Sequence, residues 1–291
     1  MTASSETRVD LPADTDSACL VGRPTSVEAR FGLHSCNPRG SESHTDMQLG
    51  DWATDGRGQV QAGVLGLLAD HTLGEVPYLR RPAGTWSVTT ELAIDFVRPV
   101  QPGEALHAWA TPTRMEQGNM LVRGAVTDAS DSTVALATTR CVYVRAQQTS
   151  PQATAAVRPG TDRSADSIVE HLGLMETEPG VHDIEFRLDD VTGWVNDFDI
   201  LHGGIWACMS EIAGSRAIAE RNPALRTAAL RTVYLRSGMP GAGVTVSARV
   251  IHVGGRFAVA EVNGRTDDGQ LCTLSTVTAR RVEELGPGGG R

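Results

Sequence analysis

The sequence predicts an α+β protein built from two diverged copies of one unit, each a central helix wrapped by antiparallel strands, with the strands expected to form one continuous sheet. The first observation is an internal match. Gln61-Ala-Gly-Val-Leu-Gly-Leu-Leu-Ala-Asp70 aligns with His202-Gly-Gly-Ile-Trp-Ala-Cys-Met-Ser-Glu211 without a gap, keeping residue type throughout, so that one constant displacement carries Gln61 onto His202 and Asp70 onto Glu211. The second is that the first of these segments continues as a helix apolar on nearly all sides, as expected when protein encloses it. The third is that long runs with a period of two follow each segment, the mark of half-buried strands.

In chain order, residues 1–40 show no assignable pattern and read as an N-terminal extension, partly ordered at best. The first repeat spans 41–146. Its helix begins near Ala62 and carries Val64, Leu65, Leu67, Leu68, Leu73 and Val76. Leu92, Ile94 and Phe96 alternate with polar neighbours in the strand Ser87–Arg98, Gly103 marks a turn, and Thr127-Asp-Ala-Ser130 a hairpin. Residues 147–180 form a linker, since Gln147 to Asp166 is rich in Ala, Thr, Pro and Ser without hydrophobic period, with a short helix placed between Ser167 and Met175. The second repeat spans 181–285. Its strand Thr227–Arg236, a turn at Gly241 or Gly243, the alternation of Val244, Val246, Ala248 and Val250, and the turn Thr266-Asp-Asp-Gly269 repeat the first. Residues 286–291 read as a disordered tail.

The chain has 291 residues and a formal charge of −9, which disfavours nucleic acid and anionic membrane as partners. No apolar run approaches the roughly 20 residues needed to span a bilayer, and the polar N-terminus lacks a signal pattern, so the expected location is cytoplasmic. Five scattered cysteines, Cys19, Cys36, Cys141, Cys208 and Cys272, contain no Cys-x-x-Cys pair. They read as reduced, mostly buried thiols, and no metal is expected.

Asp70 sits within an apolar helix and has Gly66, Leu67, Leu73 and Gly74 at helical spacing; Glu211 has Ala207, Cys208, Gly214 and Ser215. Neither acid has a basic partner on its own helix. An ionised carboxylate buried alone costs several kcal/mol or shifts its pKa upward. The plain reading is one wet helix side, but repetition at a fixed distance from a glycine turn favours use of at least one acid. In His202-Gly203-Gly204 the backbone can approach a ligand, and free N–H groups at a helix N-terminus suit a developing oxyanion. The plain reading there is loop entry into a crowded helix.

The combined pattern has Asn196 six residues before His202-Gly203-Gly204 and an acid nine residues after that histidine. With the strand end Asp95-Phe-Val-Arg-Pro-Val-Gln-Pro-Gly103, it resembles the hotdog-fold acyl-CoA thioesterases, in particular the phenylacetate-pathway and 4-hydroxybenzoyl-CoA type. The resemblance covers about residues 45–145 and 182–283 and implies a double hotdog with a composite site. One site would join Asn196, His202 and Gly203 to Asp70 and Thr89. The other would join Asp55, Gln61 and Ala62 to Glu211 and Thr227, with the amide, the histidine and the first glycine all replaced, and is expected to be degenerate.

The resemblance implies hydrolysis of an acyl-CoA or acyl-carrier thioester, with coenzyme A as part of the substrate and no other cofactor. Gly203 N–H would hold the oxyanion and Asp70 would act as base or nucleophile. Asn196, His202 and Thr89 would orient water, acid or thioester. Gly204 and Trp206 are candidate substrate contacts, and Arg98, Arg236 and Arg256 candidate phosphate contacts. Each arginine also reads as structural and Trp206 as core. A hotdog dehydratase or another biosynthetic enzyme acting on acyl thioesters, and a non-catalytic acyl-CoA binding or sensing protein, remain as alternatives. A homo-oligomer, a dimer or trimer of double hotdogs, is expected by the same resemblance.

Overall fold

The computed structural model describes residues 27–36, 42–146, 165–178, 180 and 182–282. Cys19, most of the linker and the tail at 286–291 lie outside the described residues. A one-turn helix α1 (Val27–Arg30) leads to β1 (Leu33–Cys36) and β2 (Ser43–Gln48), then a 3-10 turn at Asp51–Ala53. The long helix α2 (Gly63–Arg80) follows, with β3 (Thr85–Phe96), β4 (Ala105–Met115), β5 (Asn119–Asp128) and β6 (Thr133–Arg145). The second copy repeats the order: α3 (Ile168–Leu172), β7 (Met175–Thr177), β8 (Ile184–Leu188), a 3-10 turn at Thr192–Trp194, α4 (Gly203–Arg221), β9 (Leu225–Tyr234), β10 (Val244–Val253), β11 (Phe257–Thr266) and β12 (Leu271–Arg281).

The element starts Val27 and Ile168, Ser43 and Ile184, and Asp51 and Thr192 are all related by the displacement that carries Asp70 onto Glu211. Each copy therefore begins upstream of the boundaries that helix and strand patterning mark at 41 and 181. Val27–Cys36, assigned from sequence to the extension, belongs structurally to the first copy. Ile168–Thr177, assigned to the linker, belongs to the second.

All twelve strands form one antiparallel sheet in the order β1-β2-β4-β5-β6-β3-β9-β12-β11-β10-β8-β7. The copies join where β3 meets β9, in register from Glu91↔Val233 to Asp95↔Ala229. Arg231 clamps this seam: its Nη2 donates to both Asp95 oxygens at 2.7 and 2.9 Å, and its Nη1 to the Ile94 carbonyl at 2.6 Å. Leu92 and Ile94 are buried while Glu91 and Asp95 are exposed, so the strand period of two sorts the faces of the sheet. The apolar face closes over α2 and α4, whose buried residues run all round each helix. Cys141, Cys208 and Cys272 are free and buried. No helix among the described residues is long and apolar enough to cross a membrane.

The two helices touch through small residues. A Cβ added to Gly63 would lie 2.8 Å from the Cys208 carbonyl oxygen, and one added to Gly204 would lie 2.6 Å from Leu67 Cα. These contacts are equivalents, since the same displacement carries Gly63 onto Gly204 and Leu67 onto Cys208. At Gly66 an added Cβ would meet Ala207 Cβ at 3.3 Å. The glycines thus let the backbones approach more closely than any side chain allows. Gly63→Ala is expected to lose stability in urea denaturation despite the helix-propensity gain, because overpacking costs about 1–3 kcal/mol against a gain of roughly 1 kcal/mol.

Candidate active site

The close crossing brings the acid of one helix to the start of the other. Asp70, 6% exposed, faces the first turn of α4 so closely that a Cβ on Gly203 would stand 2.8 Å from its Oδ2. Only glycine leaves room there for the carboxyl group. His202 caps α4: its Nδ1 accepts from Gly204 N–H at 3.0 Å and lies 3.3 Å from Asp70 Oδ2. Thr89 on β3 donates to Asp70 Oδ1 at 3.4 Å. The Gly203 N–H has no hydrogen-bond partner among the described residues, as the first turn of a helix permits. Four sequence-chosen residues, Asp70, Thr89, His202 and Gly203, therefore meet at one point.

Burial raises the pKa of Asp70; the nearby His202, the Gly204 amide, His71 and Thr89 pull the other way without cancelling it. His71, next along α2, is missed by the sequence reading, and so is Glu28 on α1. Glu28 Oε1 lies 3.5 Å from His71 Nδ1 and 3.6 Å from His202 Nε2. His71 Nε2 meets Ser35 Oγ at 2.6 Å and Glu75 Oε1 at 3.4 Å. Burial disfavours the His71 cation, yet bonds from Glu28 and Glu75 and their charges prevail and push its pKa up to about 10. Burial also opposes the Glu28 carboxylate, but His202 and His71 outweigh it and hold its pKa well below the usual carboxylate range. The donor atoms of Glu28, His71 and His202 lie within 4.8 Å of one another, a spacing that could hold a metal ion.

Tyr234 on β9, likewise missed, donates from its hydroxyl to the Gly203 carbonyl at 3.0 Å and so braces the first peptide of α4. Burial, with Asp70 and Cys141 beside it, keeps that hydroxyl protonated. Burial also pushes the Cys141 thiol up to about 12, which rules out a resting thiolate nucleophile 3.7 Å from Thr89.

Asp70, His71, Thr89, His202, Glu28 and Tyr234 line a cleft of about 870 Å³. Asn196 lines it too, but its side-chain oxygen accepts from Phe198 N at 2.9 Å and Ile200 N at 3.5 Å, so only its NH₂ can meet a ligand. That turn presents Phe198, which stacks on Trp86 with ring centres 4.7 Å apart. Trp206, 1% exposed, belongs to the cleft wall and the core at once. Gly204 serves the helix contact rather than an open surface. Of the three arginines only Arg236 lines the cleft, and Arg145 joins it there. Arg98 is turned away: it pairs with Glu104 at 2.9 Å and Asp128 at 2.5 Å, holding the β3–β4 connection. Arg256 sits in the β10–β11 turn, where its carbonyl accepts from Arg281 N at 3.1 Å, and is not part of the cleft lining.

The equivalent place in the other copy is filled. Glu211, 1% exposed, accepts from Gln61 Nε2 at 2.5 Å, from Gly63 N at 2.8 Å and from the Thr227 hydroxyl. Gln61 Nε2 also reaches Ser215 Oγ at 2.7 Å. Burial raises the Glu211 pKa against these bonds. Asp55 repeats the turn of Asn196, accepting from Arg57 N and Gln59 N at 2.9 and 3.2 Å. Asp55 therefore braces its loop and makes no contact with Glu211 among the hydrogen bonds of the described residues. Both carboxylate oxygens of this acid are thus bonded by protein groups.

The fold and cleft can be set beside known proteins. Among solved structures, the tesB protein of Mycobacterium avium subsp. paratuberculosis superposes with a TM-score of 0.62 at 13% identity, over 88% of this chain and 98% of that one. The 12:0-ACP thioesterase of Umbellularia californica gives 0.60 at 8%, over 89% and 99%. A protein of unknown function with a hotdog fold from Alicyclobacillus acidocaldarius gives 0.58 at 12%, over 91% and 100%. At such identities these likenesses speak for the double hotdog fold alone. No curated protein is matched by sequence. The model of the Thioesterase superfamily matches residues 58–135 and 198–273. With both copies matched over more than half of its length, the chain belongs to the Thioesterase superfamily.

Proposed function

We propose that the cleft hydrolyses an acyl thioester, with coenzyme A as the carrier, by the arrangement of the phenylacetate-pathway and 4-hydroxybenzoyl-CoA type. The observation that carries this reading is the buried Asp70 carboxyl group set against the Gly203 amide at the start of the facing helix, an amide with no hydrogen-bond partner among the described residues. Gly203 N–H holds the thioester oxygen and stabilises the oxyanion, a contribution of about 3 kcal/mol by comparison with other single donors. Asp70 takes the proton of a water as its oxygen attacks the carbonyl carbon. The C–S bond breaks, and the leaving thiolate takes up the proton that water gave to Asp70. Thr89 holds the carboxyl group by its hydrogen bond, and Asn196 supplies an NH₂ at the same cleft.

The wall formed by Trp206, Val88 and Val142 suits an apolar acyl group, and Arg145 and Arg236 suit the phosphates of coenzyme A. Replacing Arg145 and Arg236 together by Ala is expected to raise KM for acyl-CoA about tenfold with kcat little changed, since a remote phosphate contact is uniform binding. An equal change for acyl-pantetheine, which lacks the outer phosphates, would remove the arginines from carrier recognition.

Thiol release from a panel of acyl-CoAs tests the reaction itself. Asp70→Asn is expected to lower kcat at least about 100-fold, while Glu211→Gln leaves it within about twofold. Full activity in Asp70→Asn rules out this chemistry.

The same variant has a stability signature. A carboxyl group with a raised folded pKa binds its proton more tightly in the folded chain than in the unfolded one. It therefore weakens the fold as pH rises from the unfolded to the folded pKa, and fully above the latter. Asp70→Asn is expected to melt higher than wild type at pH 8, with the gain shrinking as pH falls toward 4.

A further inference from the structure

We propose that Glu28, together with His71, is a positioning unit that faces the Nε2–H of His202 and so lets His202 draw the proton from Asp70. The inference deepens the hydrolytic reading and rests on it. Gly204 N–H donates to His202 Nδ1, so the neutral ring carries its proton on Nε2, the nitrogen that faces Glu28 Oε1. The same Nδ1 stands 3.3 Å from Asp70 Oδ2. When Asp70 holds a proton, that proton passes to Nδ1 as the Gly204 N–H shifts its hydrogen bond from Nδ1 to the new Asp70 carboxylate, leaving an imidazolium whose Nε2–H points at the Glu28 carboxylate. Water then gives its proton to Asp70 as its oxygen bonds to the thioester carbon. The thiolate leaves with that proton, and the proton on His202 returns to Asp70.

His71 keeps Glu28 ionised for this task. Its Nδ1 faces the same Glu28 oxygen, and its Nε2 is held by Ser35 and Glu75, with Glu75 held in turn by Ser43 at 2.5 Å. The charged groups around His202 are thus Asp70 and His71 from α2, Glu28 from α1 and, one step further, Glu75.

Comparison of the two copies separates this role from packing. Across the repeat, Glu28 corresponds to Val169, His71 to Ile212, Glu75 to Arg216 and His202 to Gln61. The filled copy folds without any of the network; the open copy has all of it. With Nδ1 accepting from Gly204 N–H, a metal on Nε2 would leave the His202 ring without a proton, which disfavours a cation at this trio.

The test uses the full chain. Long-range proton–nitrogen NMR of the imidazoles is expected to show His202 protonated at Nε2 in wild type at rest, with the Nε2 proton resonance moved in Glu28→Gln. A wild-type ring protonated only at Nδ1 overturns the proposal whatever the activity. In thiol release, Glu28→Gln is expected to lower kcat about 10- to 100-fold with KM within about threefold, and Glu28→Asp to recover part of the loss. Loss of the negative charge also moves the pH–rate profile to lower pH. Wild-type kcat and an unmoved profile in Glu28→Gln overturn the proposal, as does a kcat loss explained by a lower melting temperature alone. Tight zinc binding in calorimetry that Glu28→Gln abolishes would make the trio a cation site and equally overturn it. A wild type that cleaves no acyl thioester removes the hydrolytic reading, which is a different result from a cleaving wild type with an indifferent Glu28.

Discussion

The rest of the molecule depends on how closely α2 and α4 cross. Glycine at 63, 66 and 204 brings the backbones together until the acid of each helix reaches the opening turn of the other. A helix N-terminus favours a nearby carboxylate by up to ~2 kcal/mol when partly buried. Desolvating an ionised carboxylate costs more than that, so Asp70 sits at a helix start and still has a raised pKa. A carboxyl group that holds its proton more tightly than usual is the result, kept in a conflict that packing maintains. The sheet supports the crossing from outside, since the β3–β9 seam fixes the copies relative to each other.

Duplication separates what the fold requires from what the chemistry requires. Both copies keep the glycine at the helix contact, a threonine hydroxyl on the buried acid and an Asx turn in the loop before the helix, from Asp55 or Asn196. These features belong to the fold. The copies differ where substrate would lie: Gly74, against which an added Cβ meets nothing within 4 Å, corresponds to Ser215, which Gln61 bridges to Glu211. Glu211 has become a fully bonded structural acid. A carboxylate with several donors is better placed for stability than for catalysis.

Much of this was legible in the sequence because the signals were long or repeated. The apolar α2 segment, the alternating β3 and β10 runs and the paired decapeptides carry enough residues for a period or an alignment to stand out. Asp70 stands out because an acid in an apolar helix conflicts with its surroundings, His202 and Gly203 because a glycine turn opens the facing helix, and Thr89 enters only through the family resemblance. Glu28 was not legible, since α1 has four residues, too few for a helical period, in a stretch with no other pattern. His71 looked like an ordinary neighbour of Asp70; its signal is the contrast with Ile212, visible only when asymmetry between copies is read as closely as similarity. Tyr234 shares no helix or loop with its partner Gly203, and only the sheet brings them together. Arg98 was chosen for its chemistry, which Glu104 and Asp128 use locally.

The placement of Glu28 needs its own cause, because a four-residue helix cannot hold a side chain to a fraction of an ångström by itself. The anchor is aromatic and lies between the copies. Phe31, fully buried, meets Trp52 and Trp194 edge-on with ring centres at 5.2 and 6.1 Å, and these two tryptophans stand one position out of step with the repeat. Arg30 of the first copy lies over Trp194 of the second at 4.6 Å, and His171 of the second stacks on Trp52 of the first at 4.6 Å. Burial, reinforced by Arg30, lowers the His171 pKa to about 4, so this ring packs as a neutral aromatic at physiological pH. Each short helix is thus fastened to the opposite copy, which fixes α1 against the segment that carries His202. A site assembled from both copies gains its positional accuracy from such exchanged contacts, since any drift of one copy against the other must first unstack the aromatic hub.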